Sequence, residues 1–280
     1  SRQLTDWFDN VVLDAGLRRM AEGSFITGVC VGSGSSEPTF TQTGLDTFVA
    51  RTTTVQAQSS GRQVTDGDYY WWARITYRFA QGAAQGNLSE IGVGWANDAL
   101  FNRTLIKDSN GNPTTIVILQ DEFLDVNFEY RVYPKMTDTT KVIKYQERIN
   151  GELVDISNHT VTIRPLMDSN DVWINSSGTN STNRAVTITS ATVYTGALNN
   201  ILTSPGGTAL SGGSLSQNAA DPALLNRMGS LFFDLNNGNG VHSSVVVRTS
   251  IGSYKFSYDP TITKTANYQH WHNFGITWTR

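Results

Sequence analysis

Tyr69-Tyr70-Trp71-Trp72-Ala73-Arg74-Ile75-Thr76-Tyr77-Arg78-Phe79 is the stretch whose reading decides the fold. Its β-branched and aromatic residues suit a pleated surface, and a period of two places alternate side chains on opposite faces. The reading is a strand. Four consecutive large aromatics, Tyr69, Tyr70, Trp71 and Trp72, put two on each side of it. One pair lines a core, and the other needs cover from a second sheet or another chain.

Working outward, the same periodicity recurs. Ile26–Val31 reads as a strand broken by Gly32-Ser33-Gly34-Ser35-Ser36-Glu37-Pro38. Leu88–Trp95 sets Ile91, Val93 and Trp95 against Glu90, Gly92 and Gly94. Arg103–Lys107 and Thr114–Leu119 flank Asp108-Ser109-Asn110-Gly111-Asn112-Pro113, a hairpin signal because Asn-Gly accepts left-handed backbone angles. Phe123–Tyr133 alternates until Pro134 stops it. Lys141–Arg148 and Leu153–Ile156 form a second hairpin around Asn150-Gly151. Thr160–Pro165, Ala185–Tyr194, Leu231–Asp234, Ser244–Thr249, Tyr254–Tyr258 and Phe274–Trp278 complete the set. Short strands with turn chemistry between them predict a mainly β chain, an antiparallel sandwich or barrel-like module or modules.

Only the opening departs from this pattern. Residues 1–22 predict an N-terminal amphipathic helix, with Thr5 or Asp6 as cap, Phe8, Val11 or Val12, Ala15 and Met20 on one face, and Gly23 past its end. A β module follows over 23–135, and 141–280 is a second module or a continuation of the first. Exposed loops are expected near 175–183 and 204–217, with a short helix near Pro222–Met228.

Charged residues make up only 16% of the 280, and the formal net charge is −3 with no basic block. Nucleic-acid binding needs a concentrated cationic stripe, so it is set aside. No apolar run reaches the ~20 residues that cross a bilayer, so no membrane insertion is expected. The start, Ser1-Arg2-Gln3-Leu4, has no signal-peptide core, and a single Cys30 between Val29 and Val31 reads as a buried thiol. The expectation is a chain made and kept in a cytoplasm.

Motifs for chemistry are few. His270-Trp271-His272 places two imidazoles on one strand face, suitable for a metal, but no carboxylate or thiol lies at ligand spacing. The pair is therefore read as the exposed face of an edge strand, with no metal and no cofactor. Asp234-Leu235-Asn236-Asn237-Gly238-Asn239-Gly240 resembles a calcium loop but lacks the later bidentate Glu, and it is read as a polar turn. Nucleophile elbow, phosphate loop and dinucleotide fingerprint are all missing, and Gly32-Ser33-Gly34 reads as a loop. Asp121-Glu122, or Asp66 with Asp68, are carboxylate pairs of the sort that cleave glycosidic bonds, though nothing separates them from turn residues. The sequons at Asn87, Asn102, Asn158, Asn175 and Asn180 have no secretion signal beside them. No enzyme is predicted. Trp7, Phe8, Tyr69, Tyr70, Trp71, Trp72 and Trp271 are the candidate interface residues.

Several blocks resemble a group of tailed-bacteriophage virion proteins of tail-fibre, tail-tip or baseplate type. They are Asn10-Val11-Val12-Leu13-Asp14-Ala15-Gly16-Leu17, Val29–Gly34, Thr41–Val49, Leu88–Trp95, Phe101–Asp108, Asp121–Val126, Tyr130–Pro134, Tyr254–Pro260 and Gly275–Trp278. The resemblance leaves out about Lys135 to Ser230. It implies a structural subunit of the virion, in the tail, made in the host cytoplasm, oligomeric, bound to other virion proteins, with a host-surface glycan or protein as a further contact. It brings no catalytic residues. Two other readings fit the same composition: a capsid decoration protein, and a carbohydrate-binding or glycan-cleaving module.

Overall fold

The computed structural model describes residues 2–65, 67–169 and 185–280. Strand accounts for 53% of the chain and helix for 3%, which makes the class mainly β. In chain order the elements are β1 (Val11–Val12), α1 (Asp14–Glu22), β2 (Gly28–Gly32), β3 (Phe48–Thr52), β4 (Val55–Thr65), β5 (Asp68–Phe79) and β6 (Gly86–Leu88). Then come β7 (Glu90–Gly94), β8 (Leu100–Leu105), β9 (Ile116–Ile118), β10 (Leu124–Val132), β11 (Thr139–Ile149), β12 (Glu152–Pro165) and β13 (Ile188–Tyr194). The last are β14 (Ala209–Leu210), β15 (Ser214–Gln217), β16 (Asn226–Phe233), β17 (Gly240–Thr249), β18 (Gly252–Lys264) and β19 (His270–Thr277).

Two pairs of antiparallel sheets enclose the interior. A five-stranded sheet, β1-β8-β7-β2-β3, shares a core with the three-stranded β10-β5-β4. Val29, Val31, Val93 and Phe101 of the first meet Trp71, Ile75, Tyr77, Phe79 and Phe128 of the second. The register explains why: β5 and β10 pair from Leu124↔Phe79 to Val132↔Trp71, so the apolar halves of both alternations fall on one side. Further along, the six-stranded β11-β12-β18-β17-β13-β14 packs against β15-β16-β19 around Val193, Val245, Phe256, Leu231 and Phe233. The two halves share side chains, because the first core also takes in Met167, Val186, Ile251, Ile276 and Trp278. Trp278 Nε1 donates to Leu17 O at 2.9 Å, and Tyr254 lies edge-on to Trp71 at 6.0 Å.

Several expectations need correction. The helix expected over residues 1–22 is confined to Asp14–Glu22. β-branched Val11 and Val12 pair instead with Arg103 and Asn102 of β8, as their preference for strands suits. The N–H groups of Leu13 and Asp14 donate to Phe101 O and Phe40 O, so the helix start needs no side-chain cap from Thr5 or Asp6. Leu88–Trp95 is two strands parted at Ser89. The turn at Asp108 forms, with Gly111 at φ 82 and Lys107 bridged to Pro113, but beyond Ile106 and Thr114 the flanks diverge: β8 joins β7 and β1, while β9 joins β6. No helix forms at Pro222–Met228. Asp221 and Asn226 close a bridge there and β16 follows. The 204–217 segment carries the short strands β14 and β15, and 175–183 lies outside the described residues.

Candidate functional site

The seven candidate interface residues occupy different places. Trp71 is fully buried, a core residue rather than an interface residue, because β5 turns its odd-numbered side chains inward. Tyr69 is half-buried against the same core. Tyr70 and Trp72 lie on the outer face, where their cover comes from this chain itself. Arg74 sits over both Trp7 (5.0 Å) and Trp72 (5.6 Å), and Arg131 over Tyr70 at 4.6 Å. Trp72 lies so close to Gly61 of β4 that a Cβ there would meet its ring at 2.8 Å. Trp7 is exposed and Phe8 half-buried in the extended segment before β1. Trp271 is exposed beside Phe232 on the outer face of β19.

Exposed apolar side chains also gather away from these aromatics, on β11 and β12. β12 pairs with β18 only over Thr160–Pro165, whereas β11 and β12 pair with each other from Thr139↔Ile163 to the turn. Their distal halves therefore form a two-stranded ribbon beyond the sheet, turned by Asn150 (φ 51) and Gly151 (φ 89). On this ribbon Leu153 is 60% exposed and Ile143, Val154 and Ile156 are exposed too, while Val142, opposite Thr160 at the ribbon's base on edge strand β11, is 71% exposed. Neighbouring positions in a strand face opposite ways, so this ribbon shows apolar side chains on both faces. β11 is also a free sheet edge among the described residues.

An open groove of about 950 Å³ lies between the 2–10 segment, β7, β8 and β10. Three of its four carboxylates are held by arginines: Arg78 to Asp125 at 2.6 Å, Arg2 to Glu122 at 3.1 Å, and Arg74 to Glu129 at 2.6 Å, while Asp6 accepts from Gln3. Hydrogen bonding from Arg78 lowers the Asp125 pKa. Burial raises that of Glu129, but bonds from Arg74 and Arg131 outweigh it and leave it lowered. A glycosidase acid needs the opposite shift. Asp66, of the other carboxylate pair, lies outside the described residues.

Glu90 and Arg103 are both fully buried in an ion pair at 2.8 Å. The carboxylate also accepts from the backbone N–H of Gly34, Asp46 and Thr47, fastening the 33–47 loop to the sheet. A Cβ on Gly32 or Gly34 would meet Glu90 Oε1 at 2.6 or 2.4 Å, so Gly32-Ser33-Gly34 is the cradle of a carboxylate. Cys30 is buried, and desolvation pushes its thiol up to about 11.

The histidines reverse their expected exposure. His270 and His272 are buried between the second pair of sheets, while Trp271 takes the outside. His242 of β17 joins them, with its Nδ1 2.8 Å from His272 Nε2. Sequence reading missed His242 because it lies on the facing sheet, 28 positions from His270. The Asp234–Gly240 segment links β16 to β17, which belong to different sheets, and it embraces the buried Lys264 ammonium through Leu235 O and Asn239 Oδ1.

Comparison with protein-family models, with curated proteins and with solved structures finds no match to this chain.

Proposed function

We propose that this chain is a structural subunit of a bacteriophage tail, of fibre, tip or baseplate-associated type, and that the β11–β12 ribbon is the arm by which it holds a neighbouring chain. The phage assignment is supported by the sequence resemblance alone. The assembly role is supported by the ribbon. A lone two-stranded hairpin is marginal in water, and apolar side chains on both of its faces, uncovered among the described residues, gain cover from another chain. Burying a Val or Leu side chain is worth roughly 1.5–3 kcal/mol each before the costs of association are subtracted. Edge strand β11 adds unpaired backbone groups in register for strand addition.

Light scattering across a concentration series, for the chain alone and with the remaining tail proteins, tests the reading. Val142→Ser with Leu153→Ser is expected to weaken association by roughly 10- to 100-fold while the fold is retained. A chain that stays monomeric in both settings, or associates equally well after these changes, contradicts it.

A further inference from the structure

Three of the chain's four histidines meet in one buried cluster, and their hydrogen bonds run in one determined direction. Gly238 O can only accept, so His242 Nε2, 2.7 Å away, carries a proton and donates it. His242 Nδ1 is then a bare lone pair that accepts from His272 Nε2–H at 2.8 Å. His272 Nδ1 is bare in turn and accepts from the Tyr258 hydroxyl at 2.6 Å. His270 stands beside this chain without extending it. Its ring centroid is 4.4 Å from that of His272 and 5.3 Å from that of His242. It is 4% exposed, and its Nε2 has no hydrogen-bond partner. An orphaned ring nitrogen deep in a sandwich is a cost that a well-packed apolar residue would avoid.

One ring nitrogen from each of His242, His270 and His272 lies within 4.8 Å of the other two. We propose that these three imidazoles form a binding site for a divalent transition-metal ion, with Zn2+ as its representative. Imidazole favours Zn2+, Co2+, Ni2+ or Cu2+ over Mg2+ and Ca2+, which prefer oxygen. Burial holds all three rings below the usual imidazole range, in the neutral form that carries a ligand lone pair. The surrounding polar groups suit the role: Gly238 O and the Tyr258 oxygen are the outer partners that orient metal-binding imidazoles. On binding, the proton of His272 Nε2 moves to Nδ1 and is donated to the Tyr258 oxygen, which frees Nε2 for the ion. Zn–N bonds of about 2.0–2.1 Å at tetrahedral angles set the nitrogens about 3.3 Å apart, so the His242–His272 pair opens by about half an ångström. The nearest cation, Lys264, is already held by Leu235 O and Asn239 Oδ1, with Asp234 as a neighbouring counter-charge. Because β17 and β19 belong to facing sheets, the ion clasps the sandwich from both sides. The site is independent of the proposed tail role.

The test uses the full, tag-free chain after chelation and dialysis, titrated with CoCl2 and then ZnCl2. Wild type is expected to develop the visible bands of tetrahedral Co2+ at one ion per chain. Zn2+ at about 100-fold above its Kd is expected to raise the unfolding midpoint by roughly 5–10 °C, and Mg2+ to leave it unchanged. His270→Leu is expected to lose both responses while its metal-free midpoint equals or exceeds that of wild type. Nitrogen NMR of the imidazoles reads the same site without a substitution: Zn2+ moves the signals of His242, His270 and His272 and leaves His159 in place. Neither bands nor a Zn2+ shift in wild type, full responses in His270→Leu, or unmoved ring-nitrogen signals would each overturn the proposal.

Discussion

Glu90 shows how much a single buried charge can organise. Its two oxygens accept from Arg103 and from the N–H groups of Gly34, Asp46 and Thr47, so no lone pair faces an apolar wall. Removing one charge of such a pair strands the other, which typically costs 3–5 kcal/mol. Glu90→Gln is therefore expected to lose about 3 kcal/mol or more of stability in a urea titration, and unchanged stability would contradict the role. This site was the least legible part of the sequence. A glutamate opposite Ile91 and Val93 on an alternating strand reads as the wet face, and its four partners are scattered from Gly34 to Arg103. The same holds for His242, which nothing in the sequence joins to His270 and His272.

At the scale of elements, local chemistry was readable wherever it repeats over several residues. β5, β10 and the Asn150-Gly151 hairpin follow from alternation and from a turn that needs positive φ. β4, Val55-Gln56-Ala57-Gln58-Ser59-Ser60-Gly61-Arg62-Gln63-Val64-Thr65, gives no such signal, because it is a largely polar edge strand that, among the described residues, pairs only with β5. Helix α1 starts later than the helical spacing in residues 4–12 suggests, because the pairing of β1 with β8 outweighs that spacing. Gly16 fixes α1 against that strand: a Cβ there would lie 2.4 Å from Phe101 O. Gly→Ala inside an exposed helix normally gains about 1 kcal/mol. Gly16→Ala is expected to destabilise instead, by calorimetry, and a raised midpoint would refute the close approach. On the outer face of β5 and β10, Glu129 is bound by Arg74 and Arg131 and has a lowered pKa. A carboxylate that is more acidic when folded contributes stability above its ordinary value of 4.5, and loses it as pH falls below that. Glu129→Gln should make the acid side of the stability profile shallower, and an unchanged slope would count against these contacts.

Over the whole molecule, the sequence suggests a break near Lys135, yet the two halves lock through a few long-range contacts that no local pattern announces. Gly252, at φ 126 in the β17–β18 turn, lies against Trp71, where a Cβ would meet the ring at 2.6 Å. Gly252→Ala combines a disfavoured backbone with that clash, so a loss of roughly 2–4 kcal/mol is expected, with the fluorescence of the buried tryptophan changing in the same transition. A transition in which Trp71 is unaffected would mean that the halves are not coupled there. In the proposed assembly, the exposed apolar side chains of β11 and β12 are covered by a neighbouring chain. The central test is a reconstruction of the intact particle at side-chain detail. The proposed role predicts this chain in the tail, with Val142, Leu153 and Ile156 covered by a neighbouring subunit. A particle whose tail lacks the chain, or in which both faces of the ribbon stand in open solvent, would contradict it.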